Sequence, residues 1–271
     1  MVALGSARRS RGKPHSCGAN AYRAQICRLQ ATLACSGHPT LAMEDPSTQA
    51  LQIDIDGASA VSALLRVPPE PAAGYVFAHG AGAGMGHAFM AGFANGLAER
   101  GIATLRYQFP YMEQGSKRPD VPKVAHAAVR AAVAEAARRL PGLPLFAGGK
   151  SFGGRMSSQA QALAPLPGVL GLVFVGFPLH PAGKPSDDRA KHLFDVELPM
   201  LFLQGTRDEL ATLELLKPLV QRLGERATLA VFEDTDHSFH VRARSGRTDA
   251  QTLHAMLDAT AGWMQAHVRA G

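Results

Sequence analysis

Leu143-Pro144-Leu145-Phe146-Ala147-Gly148-Gly149-Lys150-Ser151-Phe152-Gly153-Gly154-Arg155 is the stretch on which the reading of this chain turns. Its first six residues are apolar or small and read as a short buried strand. Residues 155–163 continue as a helix. Between them lies Gly149-x-Ser151-x-Gly153. A serine at so sharp a strand-to-helix turn presents its hydroxyl at the carboxyl edge of a sheet, with small residues on either side to avoid clashes. The helix behind it aims unpaired N–H groups and the positive end of its dipole at the same point. In a glycine-rich chain the five letters alone occur by chance. The strand before and the helix after give them meaning.

Outward from this turn, strands and helices alternate. Residues 51–56 and 61–67 alternate apolar and polar side chains and are expected to pair as an antiparallel hairpin. Apolar runs at 74–78, 102–106, 169–176, 200–204 and 228–232 read as strands. Helical periodicity marks 88–99, 121–140, 210–223 and 248–268. In 121–140 the apolar face is assigned to Val124, Ala128, Ala131, Val133 and Ala137. Residues 177–198 are polar and proline-interrupted, hence a loop or a small excursion over the sheet edge. Continuous apolar strands alternating with helices imply an α/β fold, a mostly parallel sheet covered on both faces. Such sheets place their sites beyond the carboxyl ends of the strands.

Three strand ends carry candidate chemistry. Ser151 follows one, Thr206-Arg207-Asp208-Glu209 another, and Asp234-Thr235-Asp236-His237-Ser238-Phe239-His240 the last. A serine hydroxyl is a poor nucleophile until an imidazole takes its proton. That imidazole needs a carboxylate to hold one tautomer and stabilise its charged form. Each residue has a structural competitor. Ser151 and Asp208 suit helix N-caps, Glu209 rivals Asp208, and Asp234 and Asp236 suit turns. His240 rivals His237, which the strand-end position favours. His240, His254 and His267 otherwise read as surface histidines. An oxyanion would need two backbone donors. One is expected from Phe152 and the other from the His79-Gly80-Ala81-Gly82 turn, with Ala81 preferred and Gly80 second. His79 is expected to order that turn. Arg106, Tyr107 and Tyr111 follow a strand and are candidate pocket residues. Lys150 either orients a substrate carboxylate or points to solvent.

These motifs resemble the α/β-hydrolases over about residues 51–268. They are most similar to the compact, dienelactone-hydrolase-like group of bacterial predicted hydrolases. That group is related to an animal regulatory subunit of a chromatin acetyltransferase complex. The strings that carry the likeness are His79-Gly80-Ala81-Gly82-Ala83, Arg106-Tyr107-Gln108-Phe109-Pro110-Tyr111, Gly149 to Arg155, Phe177-Pro178-Leu179-His180-Pro181, Gly205-Thr206-Arg207-Asp208 and Asp236-His237-Ser238-Phe239. Together, in order, they are far more specific than any one of them. The resemblance implies Ser151 as nucleophile, Asp208 as acid and His237 as base, in a single α/β-hydrolase domain over residues 46–271 without a large cap. It implies no particular substrate. The activity expected is cofactor-independent hydrolysis of a small ester, lactone or thioester in the cytoplasm. A catalytically silent interaction module on the same scaffold is the alternative.

Charge and cysteine content narrow the field further. The net charge is +6, but six of the 28 basic residues and none of the 22 acidic ones lie in residues 1–42. The remainder is therefore balanced and offers no electrostatic case for nucleic acid. Cys17, Cys27 and Cys35 also fall in this leader, without a close Cys-x-x-Cys pair to suggest zinc. Residues 1–45 are expected to be a disordered or transit-like extension, or a start site placed too early, with Met43 the later one. No apolar run reaches the roughly 18 residues of a membrane span. A phosphate-binding loop ending at Gly149-Lys150-Ser151 would need glycine at position 144, which is proline. A dinucleotide turn starting at Gly80 or Gly82 fails at Met85 or His87. The expected partner is a small acyl substrate, with no metal.

Overall fold

A computed structural model describes residues 47–57 and 59–270. The leader, with its three cysteines and Met43, lies outside the described residues. Among the described residues eight strands form one sheet: β1 (Thr48–Asp54), β2 (Ala60–Arg66), β3 (Ala73–Ala78), β4 (Ile102–Tyr107), β5 (Leu145–Lys150), β6 (Val169–Val175), β7 (Met200–Gly205) and β8 (Ala227–Phe232). Their order is β1-β2-β4-β3-β5-β6-β7-β8. β1 and β2 pair as the antiparallel hairpin that their alternation predicts, and β2 joins β4 antiparallel. Every later pairing is parallel.

The burial of each strand follows its place in the sheet. β3, β4 and β7 are buried at every residue, whereas the edge strand β1 alternates. In β3 the period of two sends Val76 and Ala78 to one core and Tyr75 and Phe77 to the other. On the first face lie α3 (Pro122–Arg139), α4 (Phe152–Leu163) and α5 (Leu213–Leu223), the first two following α1 (Ala88–Ala98) and the short α2 (Pro110–Glu113) in the chain. On the second face, α1 and α6 (Asp249–Ala270) cover Tyr75, Phe77, Phe146 and Val173. The connections after β3 and β5 thus leave toward opposite faces. They open a crevice beyond the carboxyl ends of these two neighbouring strands, the usual place for a site in such a sheet.

Three details depart from the sequence expectations. α2 has too few residues to show a period. Residues 177–198 contain a 3-10 segment, Asp188–Asp195, within the loop. In α3 the buried face is Ala125, Ala128, Val129, Ala132, Val133 and Ala136, while Val124 is exposed. Alanines fall on every side of this helix, so hydrophobic periodicity fixes its rotation only weakly. The sheet selects the stripe that includes the two larger side chains Val129 and Val133.

Trp263, the single tryptophan of the chain, docks α6. Its ring meets Phe146 edge-on at 5.8 Å, and a Cβ at Gly171 would lie 2.7 Å from it. The indole N–H donates to Thr228 Oγ1 at 3.3 Å. Trp263→Ala is expected to cost about 3–5 kcal/mol, the range for removing a large buried aromatic. Urea unfolding followed by circular dichroism measures it. A loss below about 1 kcal/mol would show that α6 is held by other contacts.

Candidate active site

β5 runs directly into Ser151, whose backbone has φ 50° and ψ −112°, a region that residues other than glycine rarely occupy. The neighbours leave little choice. A Cβ on Gly149 would stand 2.3 Å from the carbonyl oxygen of Ala78, and one on Gly153 would stand 2.5 Å from the same atom. The end of β3 therefore passes against both glycines of the Gly-x-Ser-x-Gly motif. The Ser151 N–H donates to the Val175 carbonyl at 3.0 Å and fixes the turn to β6. The Ser151 hydroxyl caps no N–H of α4. It is turned instead toward His237.

The loop after β8 carries that histidine. Asp234 sits at φ 59°, and Asp236 Oδ1 accepts the N–H groups of Ser238 (2.8 Å) and His240 (3.0 Å), which closes the turn. Both acids act as the turn residues they resemble. His237 Nε2 lies 2.8 Å from Ser151 Oγ, and its Nδ1 lies 2.7 Å from Asp208 Oδ2. Asp208 is 2% exposed. Its Oδ1 accepts the Leu210 N–H at 2.8 Å, and its Oδ2 also accepts from Gln204 Nε2 at 2.6 Å. A carboxylate can only accept, so Nδ1 carries the imidazole proton and Nε2 is left to accept from the serine hydroxyl. The rivals lie elsewhere: Glu209 is exposed, and His240 pairs with Asp249 at 2.7 Å on the surface.

The β3 turn stands beside the serine. A Cβ on Gly80 would be 3.7 Å from Ser151 Cβ, and Gly80, Ala81 and Ser151 line one cleft with His237. Phe152 opens α4, where backbone N–H groups have no partner within the helix. His79 is fully buried. Its Nε2 accepts the Phe109 N–H at 3.0 Å, while Nδ1 donates to the Gly80 carbonyl at 2.8 Å.

A family model described as an alpha/beta hydrolase domain matches residues 71–265. The chain belongs to the α/β-hydrolase family. Solved α/β structures share the fold at low identity. The dienelactone hydrolase of Anabaena variabilis is 20% identical with a TM-score of 0.65, over 81% of this chain and 97% of its own. A lidless α/β serine hydrolase of Xanthomonas campestris is 22% identical with a TM-score of 0.59, over 83% and 95%. An α/β serine hydrolase homologue of Coxiella burnetii is 18% identical with a TM-score of 0.63, over 80% and 97%.

Within this hydrolase domain two of the expected pocket residues need correction. Arg106 and Tyr107 are both 0% exposed. β4 runs to Tyr107, and pairing on both its edges, with β3 and β2, places both residues within the body of the sheet. Arg106 Nη1 donates to the Met85 carbonyl and props the 81–87 loop from below. Tyr107 packs in the core against Phe109, rings 5.3 Å apart. Tyr111 is also buried, and its hydroxyl accepts the Gly82 N–H at 3.4 Å. Lys150 does not point to solvent. It lines the cleft, but Nζ donates to the His237 carbonyl and lies 5.3 Å from the centre of the Phe239 ring. Burial lowers its pKa to about 8 against the opposing pull of Asp208 and Asp236.

Sequence reasoning missed Gln204, buried within β7, whose amide holds the Asp208 carboxylate from behind. A glutamine in an otherwise apolar strand was the available signal. His87, Phe89 and Met90, at the start of α1, complete the cleft wall and were read only as helix. Among the described residues no group of three or more His, Cys, Asp or Glu could hold a metal. No helix among them is long and apolar enough to cross a membrane.

Gly149→Ala and Gly153→Ala push a methyl group into a backbone oxygen that cannot swing away, so each is expected to lower the thermal midpoint well beyond ordinary surface variants. A calorimetric scan measures it. An unchanged midpoint would mean that β3 is not held against the turn. Burial also lowers the pKa of His79 and of His192 from 6.5 to about 4. The unfolded chain therefore binds more protons between these values. The stability tied to each neutral imidazole is complete above pH 6.5 and is lost as the pH falls through about 4. Each histidine is expected to contribute on the order of 2–4 kcal/mol to that fall. Urea titrations from pH 7 to 4 measure it, and His192→Gln should flatten its share.

Proposed function

We propose that this chain is a serine hydrolase that cleaves a small ester, lactone or thioester through an acyl-enzyme on Ser151. The observation that carries this reading is the unbroken relay from Ser151 Oγ to His237 Nε2 (2.8 Å) and from His237 Nδ1 to Asp208 Oδ2 (2.7 Å). His237 takes the serine proton as Oγ attacks the acyl carbon, and Asp208 stabilises the imidazolium that forms. In this reading the tetrahedral oxyanion is met by the N–H groups of Phe152 and Ala81, because donors oriented in advance stabilise charge as it develops. The imidazolium then gives its proton to the leaving oxygen or sulfur, which leaves the acyl group on Ser151. His237 next takes a proton from water, the resulting hydroxide attacks the ester carbon, and the proton returns to Ser151. No step in this sequence calls on a cofactor.

Substrate size follows from the surroundings. The cleft beside Ser151 is open and has a volume of about 210 Å³, with Ala83, Phe89 and Met90 as its apolar wall. The only regular element in residues 177–198 is one 3-10 segment, so no cap domain closes over a long chain. This suits short acyl groups in an open site.

A fluorophosphonate probe tests the nucleophile. It is expected to label the wild-type protein and not Ser151→Ala. On short 4-nitrophenyl esters and thioesters, Asp208→Asn should retain the fold and lose about 10⁴-fold in kcat, because the wrong tautomer faces the serine. Absence of labelling in folded wild type would favour the silent interaction module.

A further inference from the structure

A second cleft adjoins the first across Ser151 and is lined by Ala81, Asp120, Ser151, Phe152, Arg155 and Arg189, among others. Its two arginines come from different elements, the first turn of α4 and the 3-10 segment Asp188–Asp195. Neither guanidinium has a hydrogen bond or an ion pair among the described residues, and Arg155 Nε is buried without a partner. The Arg155 group lies 5.9 Å from the centre of the Phe152 ring, which orients it beside the proposed nucleophile. Burial and the facing charge of Arg189 both lower the Arg155 pKa, so the two cations repel across the cleft.

The surrounding titratable groups leave that charge uncompensated. Asp120 Oδ2 accepts the Tyr111 N–H at 3.0 Å, and burial raises its pKa. It forms no ion pair with either arginine. Beside Arg189 in sequence, Asp188 pairs with Lys191 at 2.5 Å and Asp187 with Arg222 at 3.6 Å. His126 and His192 are kept neutral chiefly by burial, with Arg155 adding to the effect. Two like charges held together without a counter-ion raise the energy of the empty site, and a bound anion lowers it. Guanidinium groups fit the planar fork of a carboxylate or two oxygens of a phosphate.

We propose that this cleft is a subsite for an anionic group of the substrate, a carboxylate or phosphate held by Arg189 and Arg155 alongside the reacting acyl carbon. This rests on the serine-hydrolase reading above and names the substrate class for that same site. The preferred substrate is then an ester, lactone or thioester that carries a negative charge a few bonds from the scissile link.

Matched esters test it. On the leaving-group side these are 4-acetoxybenzoate, its neutral methyl ester and 4-acetoxyphenyl phosphate. On the acyl side they are 4-nitrophenyl hydrogen glutarate and its neutral methyl ester. At least one charged ester is expected to exceed its neutral partner tenfold or more in kcat/KM, and the better anion separates carboxylate from phosphate. That ratio should fall about tenfold in Arg189→Met and in Arg155→Met and be largely kept in Arg189→Lys. Arg189 is the less structural of the two, so it decides the matter should Arg155→Met fail to fold. Turnover of neutral esters without preference for any charged one would overturn the subsite and leave the hydrolase reading intact. If no ester is turned over, the hydrolase reading fails. Calorimetric titration of the Ser151→Ala protein with glutarate, 4-hydroxybenzoate and 4-hydroxyphenyl phosphate then judges the subsite. Binding that Arg189→Met abolishes supports it, and absence of binding refutes it.

Discussion

The carbonyl of Ala78 against Gly149 and Gly153 is the contact on which the rest of the site depends. It presses the end of β3 onto the turn between β5 and α4, so that no side chain fits at either glycine. The serine between them is thereby held at positive φ, a conformation worth on the order of 1–3 kcal/mol of strain that the packed sheet must offset. Three consequences share this one cause. The serine hydroxyl stands clear of the helix it precedes. The first turn of α4 lies beside the β3 turn. The loop after β8 arches over the ends of β7 and β6 to bring an imidazole within 2.8 Å of the hydroxyl.

Electrostatics around the turn divide into two regimes. Behind the serine, two buried polar side chains are held at both ends: Asp208 by Gln204, His237 and the Leu210 N–H, and His79 by Gly80 and Phe109. A low-dielectric interior strengthens such bonds and penalises any group left without one. Each of these side chains consequently has a single orientation before any substrate arrives. In front of the serine the cations are less committed. Lys150 closes on the His237 carbonyl from one side, and Arg155 and Arg189 line the cleft on the other together with Asp120. The fold thus holds its proposed catalytic groups by buried hydrogen bonds while the two arginines of the approach have none among the described residues.

Membership of the α/β-hydrolase family accounts for the frame, and the neighbours below 25% identity add only that the frame is shared. What this chain does individually resides in residues that the family architecture leaves open. These are the lysine immediately before Ser151, the arginine four residues after it, and the short segment that supplies Arg189 in place of a cap. Each contributes a side chain to a cleft that Ser151 also lines.

Local chemistry was legible in the sequence by itself. Unbroken apolar runs meant strands buried on both faces, the glycines around Ser151 meant a turn without room for Cβ atoms, and Ser151, Asp208 and His237 each stood after a strand. The parallel α/β architecture followed from that pattern. Only the tertiary structure decided what depends on distance between remote segments. The rotation of α3 was hidden because alanine occupies all its faces. The inward fate of Arg106 and Tyr107 depended on β4 being paired on both edges to its last residue, which periodicity does not reveal. The strand-end position already favoured His237 over His240, but only the folded chain shows that its imidazole reaches both Asp208 and Ser151. The facing of Arg155 and Arg189 could not be read at all, since nothing in a linear chain records which two like charges, 34 positions apart, the folding of the sheet will force to share one cleft.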